Sequence, residues 1–357
     1  MFADDVKYFC CPKSGEPLKI SHISETDTDG EILSGELRSL KSANTYKISN
    51  GIPRFIFDST YNATWDYKWT QIDQGKGLNY RVADKQDPAY HMHDIFDRNG
   101  YDGKAHQHAT NKLVLDVGCG VGQYTWRLLE DYKPAKVIAL DLTRGVDIFR
   151  KIMLERFPHY KSKILMVQAS VFKMPFEDEM FDYVFSFGVL MHTGNTREAI
   201  KQAARVLKYQ GHLNFWIYAS EPIPYEADEP EREVKSFFVY LKTFIVFGIA
   251  WLWIHTFRKM PHNWVVRIVR FFSSDFWYTV NKIPLIGKIT RVIFNPSNYP
   301  DFDYRFINVY DGWVNRWSDT WNEHEIFPVL KASDIVIQGI SDWRLGIWGI
   351  KLKDFYQ

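Results

Sequence analysis

Continuous apolar runs punctuate the middle of the chain, and the first two carry an acid near their carboxyl end. Val114-Leu-Asp-Val117, Lys136-Val-Ile-Ala-Leu-Asp-Leu142, Ile164-Leu-Met-Val-Gln-Ala-Ser170, Tyr183–Phe187 and Gly211-His-Leu-Asn-Phe-Trp-Ile-Tyr218 read as five buried strands. Helix-like segments lie between them, at Tyr124–Leu129 and Ala203–Lys208. Strands alternating with helices predict an α/β sheet. Further on, Asn322–Leu330 reads as a helix, and Asp334–Ile340 and Gly346–Lys353 as two more strands. The first 57 residues have a different texture, short, strand-like and turn-rich, with Asn50-Gly51 as a hairpin turn.

The first run of the core continues as Val114-Leu-Asp-Val-Gly-Cys-Gly-Val-Gly-Gln-Tyr124. A strand that ends in a glycine-rich loop and passes directly into a helix presents a nucleotide-like ligand at its carboxyl end. Gly118, Gly120 and Gly122 give G-x-G-x-G, and Gln123 stands where a dinucleotide fingerprint requires its third glycine. Asp116, just ahead of the loop, would repel a pyrophosphate and suits a ligand with an ammonium and a sulfonium. A nicotinamide oxidoreductase is disfavoured on both counts. Asp141 lies 19 residues after Gly122, close to the spacing at which an acid reaches a ribose.

Asp116-x-Gly-x-Gly-x-Gly resembles motif I of the class I S-adenosylmethionine (SAM) methyltransferases. Met174-Pro-Phe and Phe181-Asp-Tyr-Val-Phe-Ser-Phe-Gly-Val-Leu-Met-His192 are similar to the family's "LPF…FDxVxSxGVLxH" segment, and the likeness covers roughly residues 111–218. It implies a Rossmann-like, seven-stranded sheet with helices on both faces, whose last two strands are antiparallel, and SAM as cofactor. On that likeness Asp116, Gly118, Cys119, Gly120 and Gly122 hold the methionine end and Asp141 the ribose. Leu142 and Val171 sandwich the adenine, and Phe187 and Gly188 line the methionine. Ser170 stands where the family usually has the Asp that binds the adenine amino group, so the Ser170–Val171 backbone is the other candidate for that task. His192, beyond strand four, is the candidate general base, since its pKa suits proton removal at neutral pH. A histidine that only caps the loop is the alternative.

Composition sharpens the remainder of the picture. Net charge is +1, so nothing in bulk points to nucleic acid, and 46% hydrophobic residues support a real core. Of three cysteines, Cys10 and Cys11 are adjacent, which excludes a disulfide framework and suits a reducing cytoplasm; the N-terminus shows no apolar signal core. Residues 1–57 look like a degenerate zinc-ribbon module whose first Cys-x-x-Cys has collapsed and whose second is missing around Arg38–Ala43, so no metal is expected. Residues 58–110 form a helical cap. In it Tyr67-Lys-Trp69 is similar to an "(F/Y)xxQW" segment that covers the cofactor in relatives, with aromatic docking as the alternative. His93 is placed facing the substrate.

Between 235 and 299 nine Lys/Arg stand against one acid, Asp275, a local balance of +8 that leaves −7 on the rest. The longest uncharged stretch there, 243–254, is 12 residues, too short to span a bilayer. The insert 221–320 is therefore a helical lid or dimer surface, or a basic platform on an anionic membrane or substrate. Asp311-Gly-Trp-Val-Asn-Arg-Trp-Ser318 is similar to a "DWxxPxxQ" stretch, which offers Tyr310, Trp313 and Arg316 to the acceptor pocket.

The expected organisation is thus 1–57 ribbon-like, 58–110 helical cap, 111–220 SAM-binding core, 221–320 insert, and 321–357 the last helix and strands six and seven. The expected activity is methyl transfer to an O or N nucleophile of a small-molecule, glycan or lipid-linked acceptor. A homodimer and peripheral membrane contact through 235–299 are the candidate associations. A non-catalytic SAM-binding scaffold is the alternative.

Overall fold

A computed structural model describes residues 1–56, 63–74, 103–220, 256, 260–283, 287, 300–314, 319–341, 345–353 and 355. Strands β1 (Leu18–Thr26), β2 (Ile32–Ser39), β3 (Thr45–Ser49) and β4 (Ile52–Phe55) come first, then α1 (Ala63–Asp73) and α2 (Lys104–Gln107). The core runs β5 (Leu113–Val117), α3 (Gln123–Tyr132), β6 (Lys136–Asp141), α4 (Gly145–Arg156), β7 (Ile164–Ala169), β8 (Phe181–Phe187), α5 (Thr196–Arg205) and β9 (Leu207–Ala219). After α6 (His262–Phe272), α7 (Asp275–Val280) and α8 (Phe302–Val314) come β10 (Thr320–Trp321), α9 (Glu323–Lys331), β11 (Ile335–Ser341) and β12 (Leu345–Lys351). Two compact units result: 1–62, 81–225 and 317–357 in the first, and 63–80 with 226–316 in the second.

The first unit is built on one sheet in the order β1-β2-β3-β4-β7-β6-β5-β8-β9-β12-β11. From β7 to β9 the strands are parallel, and β12 lies antiparallel between β9 and β11. This is the seven-stranded Rossmann-like core. Its central strands are continuous apolar runs because helices cover both faces of a parallel sheet, which leaves no solvent side for polar alternation. Asn322 caps α9 with its side chain while Glu325 reaches back, a capping box that explains why that helix starts where the sequence placed it.

One boundary differs from expectation. The helix read over Ala203–Lys208 is α5, which ends at Arg205. The amides of Met180 and Phe181 both donate to the Val206 carbonyl, at 2.8 and 2.9 Å, and Phe181 pairs with Leu207. The opening of β8 thereby draws Leu207 into β9, and tertiary pairing overrides the local helical pattern.

The N-terminal strands are continuous with this core. They form an antiparallel meander in which Asn50 and Gly51 both take positive φ (54° and 68°), as an Asn-Gly hairpin requires. β4 then adds in parallel to the outer edge of β7, Arg54 beside Gln168 and Phe55 beside Ala169. Charged pairs fasten the junction. Buried Arg150 grips Glu31 with two bonds of 2.7 and 2.9 Å, and Arg54 meets Asp147 at 2.6 Å. Lys136 pairs with Asp5, and Lys161 with Asp27. Cys10 and Cys11 are free, buried thiols, and Cys11 lies 3.1 Å from the Tyr46 hydroxyl. Among the described residues no group of three or more His, Cys, Asp or Glu is placed to hold a metal.

In the second unit, Val265 and Val269 of α6 pack with Phe306, Ile307, Val309 and Tyr310 of α8, joined by Tyr67 and Ile72 of α1. Arg305, 1% exposed, ties the unit together by donating to the Ser273 carbonyl at 2.8 Å and to the Asp275 carboxylate. Among the described residues no helix is long and apolar enough to cross a membrane.

Candidate active site

The carboxyl ends of β5, β6 and β8 meet at the glycine loop. The amides of Gly118 and Cys119 both donate to the Leu140 carbonyl, at 2.7 and 3.0 Å, which folds the loop over the end of β6. Gly118, Gly120 and Gly122 all have positive φ, 86°, 54° and 84°. Gly122 caps α3 in the left-handed region, and a Cβ there would lie 2.0 Å from the Phe149 ring of α4. The third glycine thus permits close approach of α4 to the loop, a demand no L side chain meets. Cys119 is buried beside its own loop, and burial pushes its thiol well up, which makes it a packing group rather than a nucleophile.

Two carboxylates stand under this cradle. Asp141, at the tip of β6, accepts from the Gly120 amide on Oδ2 (2.8 Å), and on Oδ1 from the Thr143 amide (2.8 Å) and hydroxyl (2.7 Å). Asp116, 3% exposed near the end of β5, accepts from the Thr125 hydroxyl on α3. Burial drives its pKa up to about 8, with the Asp141 charge adding to the rise and the Thr125 bond opposing it. Two acids and a left-handed backbone loop fit a ligand bearing positive charge and a ribose. They disfavour a pyrophosphate.

The adenine-side candidates form the next rim. Leu142, partly exposed, has its carbonyl held by Gln168 Nε2 at 3.1 Å, and Gln168 Oε1 is in turn fixed by Arg54 at 2.6 Å. β4 therefore buttresses this rim. Ser170 uses its hydroxyl to accept from the Phe172 amide at 3.2 Å, capping the short turn Val171–Lys173. Val171 is 8% exposed.

Phe187, at the end of β8, is buried edge-on to Tyr124 (5.3 Å, 89°) and His106 (5.9 Å, 73°). Gly188 follows, with the Trp216 ring 2.7 Å from where a Cβ would stand. His192 ends the next short turn, buried, with its ring edge-on to Tyr218 of β9 at 5.3 Å. The chain returning from the second unit reaches the same place. The Asp319 amide donates to the Met191 carbonyl (2.9 Å), and its carboxylate accepts from Thr196 (3.0 Å).

The structure therefore brings Asp116, the three glycines, Cys119, Asp141, Leu142, Ser170, Val171, Phe187, Gly188 and His192 to one end of one sheet. Tyr67, Trp69, Tyr310 and Trp313 belong to the second unit. There Tyr67 packs on Tyr310 (5.2 Å) and His262 (5.0 Å), and His262 Nε2 meets the Tyr310 hydroxyl at 2.7 Å. Trp69 stacks on Trp65, with the Lys68 ammonium over both rings at 5.1 and 4.8 Å. Trp313 lies on α8, and His93 and Arg316 lie outside the described residues.

Sequence reasoning missed the residues that hold the site groups. Thr125 and Thr143 engage the two acids, and the Ser186 hydroxyl donates to the Val117 carbonyl at 2.7 Å, stitching β8 to the root of the loop. Thr143 had a local signal, since an Asp followed two places on by a Thr is a common side-chain-closed turn. Ser186 stood at the serine of the "FDxVxSxGVLxH" segment without a task assigned to it, and Thr125 had no signal.

Comparison with known proteins agrees with this geometry. A family model described as a methyltransferase domain matches residues 115–215. An uncharacterized protein of Methanocaldococcus jannaschii is 30% identical over 189 residues, which are 52% of this chain and 75% of that one. A tRNA U34 carboxymethyltransferase of Aliarcobacter butzleri is 32% identical over 120 residues, 32% of this chain and 37% of that one, so only about a third of that relative's length is spanned. A SAM-dependent methyltransferase of Aquifex aeolicus is 14% identical in structural alignment, with a TM-score of 0.41 covering 83% of this chain and all of that one. The glycine loop, the two acids and the sheet order stand with these matches, and the chain belongs to the class I SAM-dependent methyltransferases.

Proposed function

We propose that the protein transfers a methyl group from SAM to an O or N nucleophile of a small anionic, glycan or lipid-linked acceptor. The observation that carries this reading is His192, buried and held edge-on by Tyr218 at the carboxyl end of β8, immediately beyond the Gly188 turn. When bound, SAM supplies an electrophilic methyl on a sulfonium. Gly118, Gly120, Asp116 and Asp141 would hold it, and Leu142, Val171, Phe187 and Gly188 would line it.

The protein's own tasks in such a displacement are alignment and proton removal. Half-buried Tyr218, edge-on to His192, would give the acceptor an aromatic contact, and the His192 imidazole beside it would take the proton. Asp319, pinned to Met191 and Thr196, keeps that turn in place. The excess of nine cations over one acid in 235–299 supports an anionic acceptor.

The test is incubation of the protein with methyl-labelled SAM and fractionated polar and lipid extracts, followed by His192→Asn. Label should enter an acceptor, and the variant should lose about 10²- to 10⁴-fold in rate while binding SAM as before. Intact SAM binding with no transfer to any fraction would favour the scaffold reading instead.

A further inference from the structure

The second unit exposes aromatic side chains where a folded protein ordinarily hides them. Trp264, Phe271 and Phe276 are 56%, 57% and 65% exposed, and Ile283 is 47% exposed. Four of the nine large exposed hydrophobic residues of the described chain thus fall within 264–283. They are contiguous rather than scattered. Trp264, Arg267 and Phe271 are spaced i, i+3, i+7 on the face of α6 opposite Val265 and Val269, which are buried. Phe271 and Phe276 both pack edge-on against Trp277, at 5.9 and 5.6 Å.

Cations are interleaved with these rings. Arg267 lies 5.9 Å from the Trp264 ring, and Lys282 sits 4.2 Å over Tyr278; both are exposed. The only acid of the segment, Asp275, pairs with buried Arg305, though its own side chain is 87% exposed. The outward face is thus mainly apolar and aromatic, with Arg267 and Lys282 set against one carboxylate that Arg305 already pairs.

We infer that this face, centred on Trp264, Phe271, Phe276, Ile283, Arg267 and Lys282, seats the protein on an anionic phospholipid bilayer. Aromatic rings with an apolar body and flanking Arg and Lys suit the headgroup boundary, where the rings enter and the cations meet lipid phosphate and carboxylate. A second copy of the chain fits less well, because an isologous contact would bring two copies of the same positive patch together. Among the described residues no helix is long and apolar enough to cross a membrane. The seat stands independently of which acceptor is methylated.

Sedimentation of the full chain with phosphatidylcholine vesicles, with and without phosphatidylserine, tests the inference. Binding should appear only with phosphatidylserine, weaken as salt rises, and fall about fivefold for each of Arg267→Gln and Lys282→Gln. The triple variant Trp264→Ser, Phe271→Ser, Phe276→Ser should stay in the supernatant. All the substituted side chains are exposed, and an unchanged far-ultraviolet circular dichroism spectrum and thermal melt verify that each variant is folded. No binding to phosphatidylserine vesicles at low salt would overturn the inference. So would binding that the triple variant retains, or a concentration-dependent dimer that the same substitutions dissociate.

Discussion

The Gly120 amide and the Asp141 carboxylate are joined across the tips of β5 and β6 by a hydrogen bond of 2.8 Å. Asp141 therefore serves the loop before it serves a ligand. Its Oδ1 accepts twice from Thr143, which fills both lone-pair directions and leaves Oδ2 with one for a ribose hydroxyl. Asp141→Ala removes all three bonds and should abolish SAM binding. Thr143→Val keeps the bond to Gly120 and should weaken binding only about tenfold, the worth of one hydrogen bond to a charged group. Calorimetric titration of both variants checks the ranking, and an unaffected Asp141→Ala would refute it.

Asp116 makes cofactor affinity depend on pH. Its folded pKa, about 8, lies above the ordinary 3.8, so the ligand-free fold keeps a proton that the unfolded chain loses. The stability it contributes is present below pH 3.8 and is lost as pH rises through about 8. A cationic ligand beside it favours the ionised form. SAM affinity should then climb with pH up to about 8, with proton release on binding, and Asp116→Asn should flatten the slope. Titration in buffers of different ionisation enthalpy reads both.

Gly122→Ala should damage the site through packing. The new methyl would stand 2.0 Å from the Phe149 ring, on a backbone at φ 84°. Loss of stability of about 1–3 kcal/mol and loss of SAM binding are expected. Adding Phe149→Leu should recover part of the stability by clearing the clash, measured by denaturant unfolding, while the backbone strain persists.

The paired histidines at the far end of the sheet predict acid sensitivity. His108 and His212 stack at 3.7 Å, and Trp348 Nε1 donates to His212 Nδ1 at 3.2 Å. Burial, aided by the His108 charge, lowers His212 from 6.5 to about 4, and burial lowers His108 as well. A depressed histidine stabilises the fold above its unfolded value and loses that contribution as pH falls. Thermal stability should thus decline from pH 6.5 toward 4, and His212→Phe should reduce the slope.

The latch between the meander and the core gives a fifth expectation. Arg150→Ala removes two bonds to the buried Glu31 carboxylate, which keeps the Met1 ammonium at 3.0 Å and Lys161 at 3.6 Å, and should cost about 1.5–3 kcal/mol. Equilibrium unfolding of Arg150→Ala, Glu31→Ala and the pair gives the coupling by double-mutant cycle. Strict additivity would show that the two side chains do not act together.

Much of this was legible in the chain because it is local. Asp116, the glycines and Asp141 are set by where strands end, and a strand end is visible as the last residue of an apolar run. The partners of those groups are not local. Thr125 looks like any hydroxyl in sequence, and Ser186, though it stands in a motif, bonds to a strand end 69 residues away. The same holds for β4, whose two-residue parallel pairing with β7 joins segments more than a hundred residues apart and turns an apparent ribbon into an extension of the sheet. On α6 the sequence shows valines, aromatics and arginines intermixed, and only the packing of Val265 and Val269 reveals that Trp264 and Phe271 face outward.

The most direct measurement is calorimetric titration of SAM into the full-length chain and into Asp141→Ala, with NADH as the competing ligand. Saturable binding of SAM by the parent chain, lost in Asp141→Ala, and no heat from NADH, is the expected result. Absence of SAM binding by the parent chain, or saturable NADH binding in its place, would contradict it.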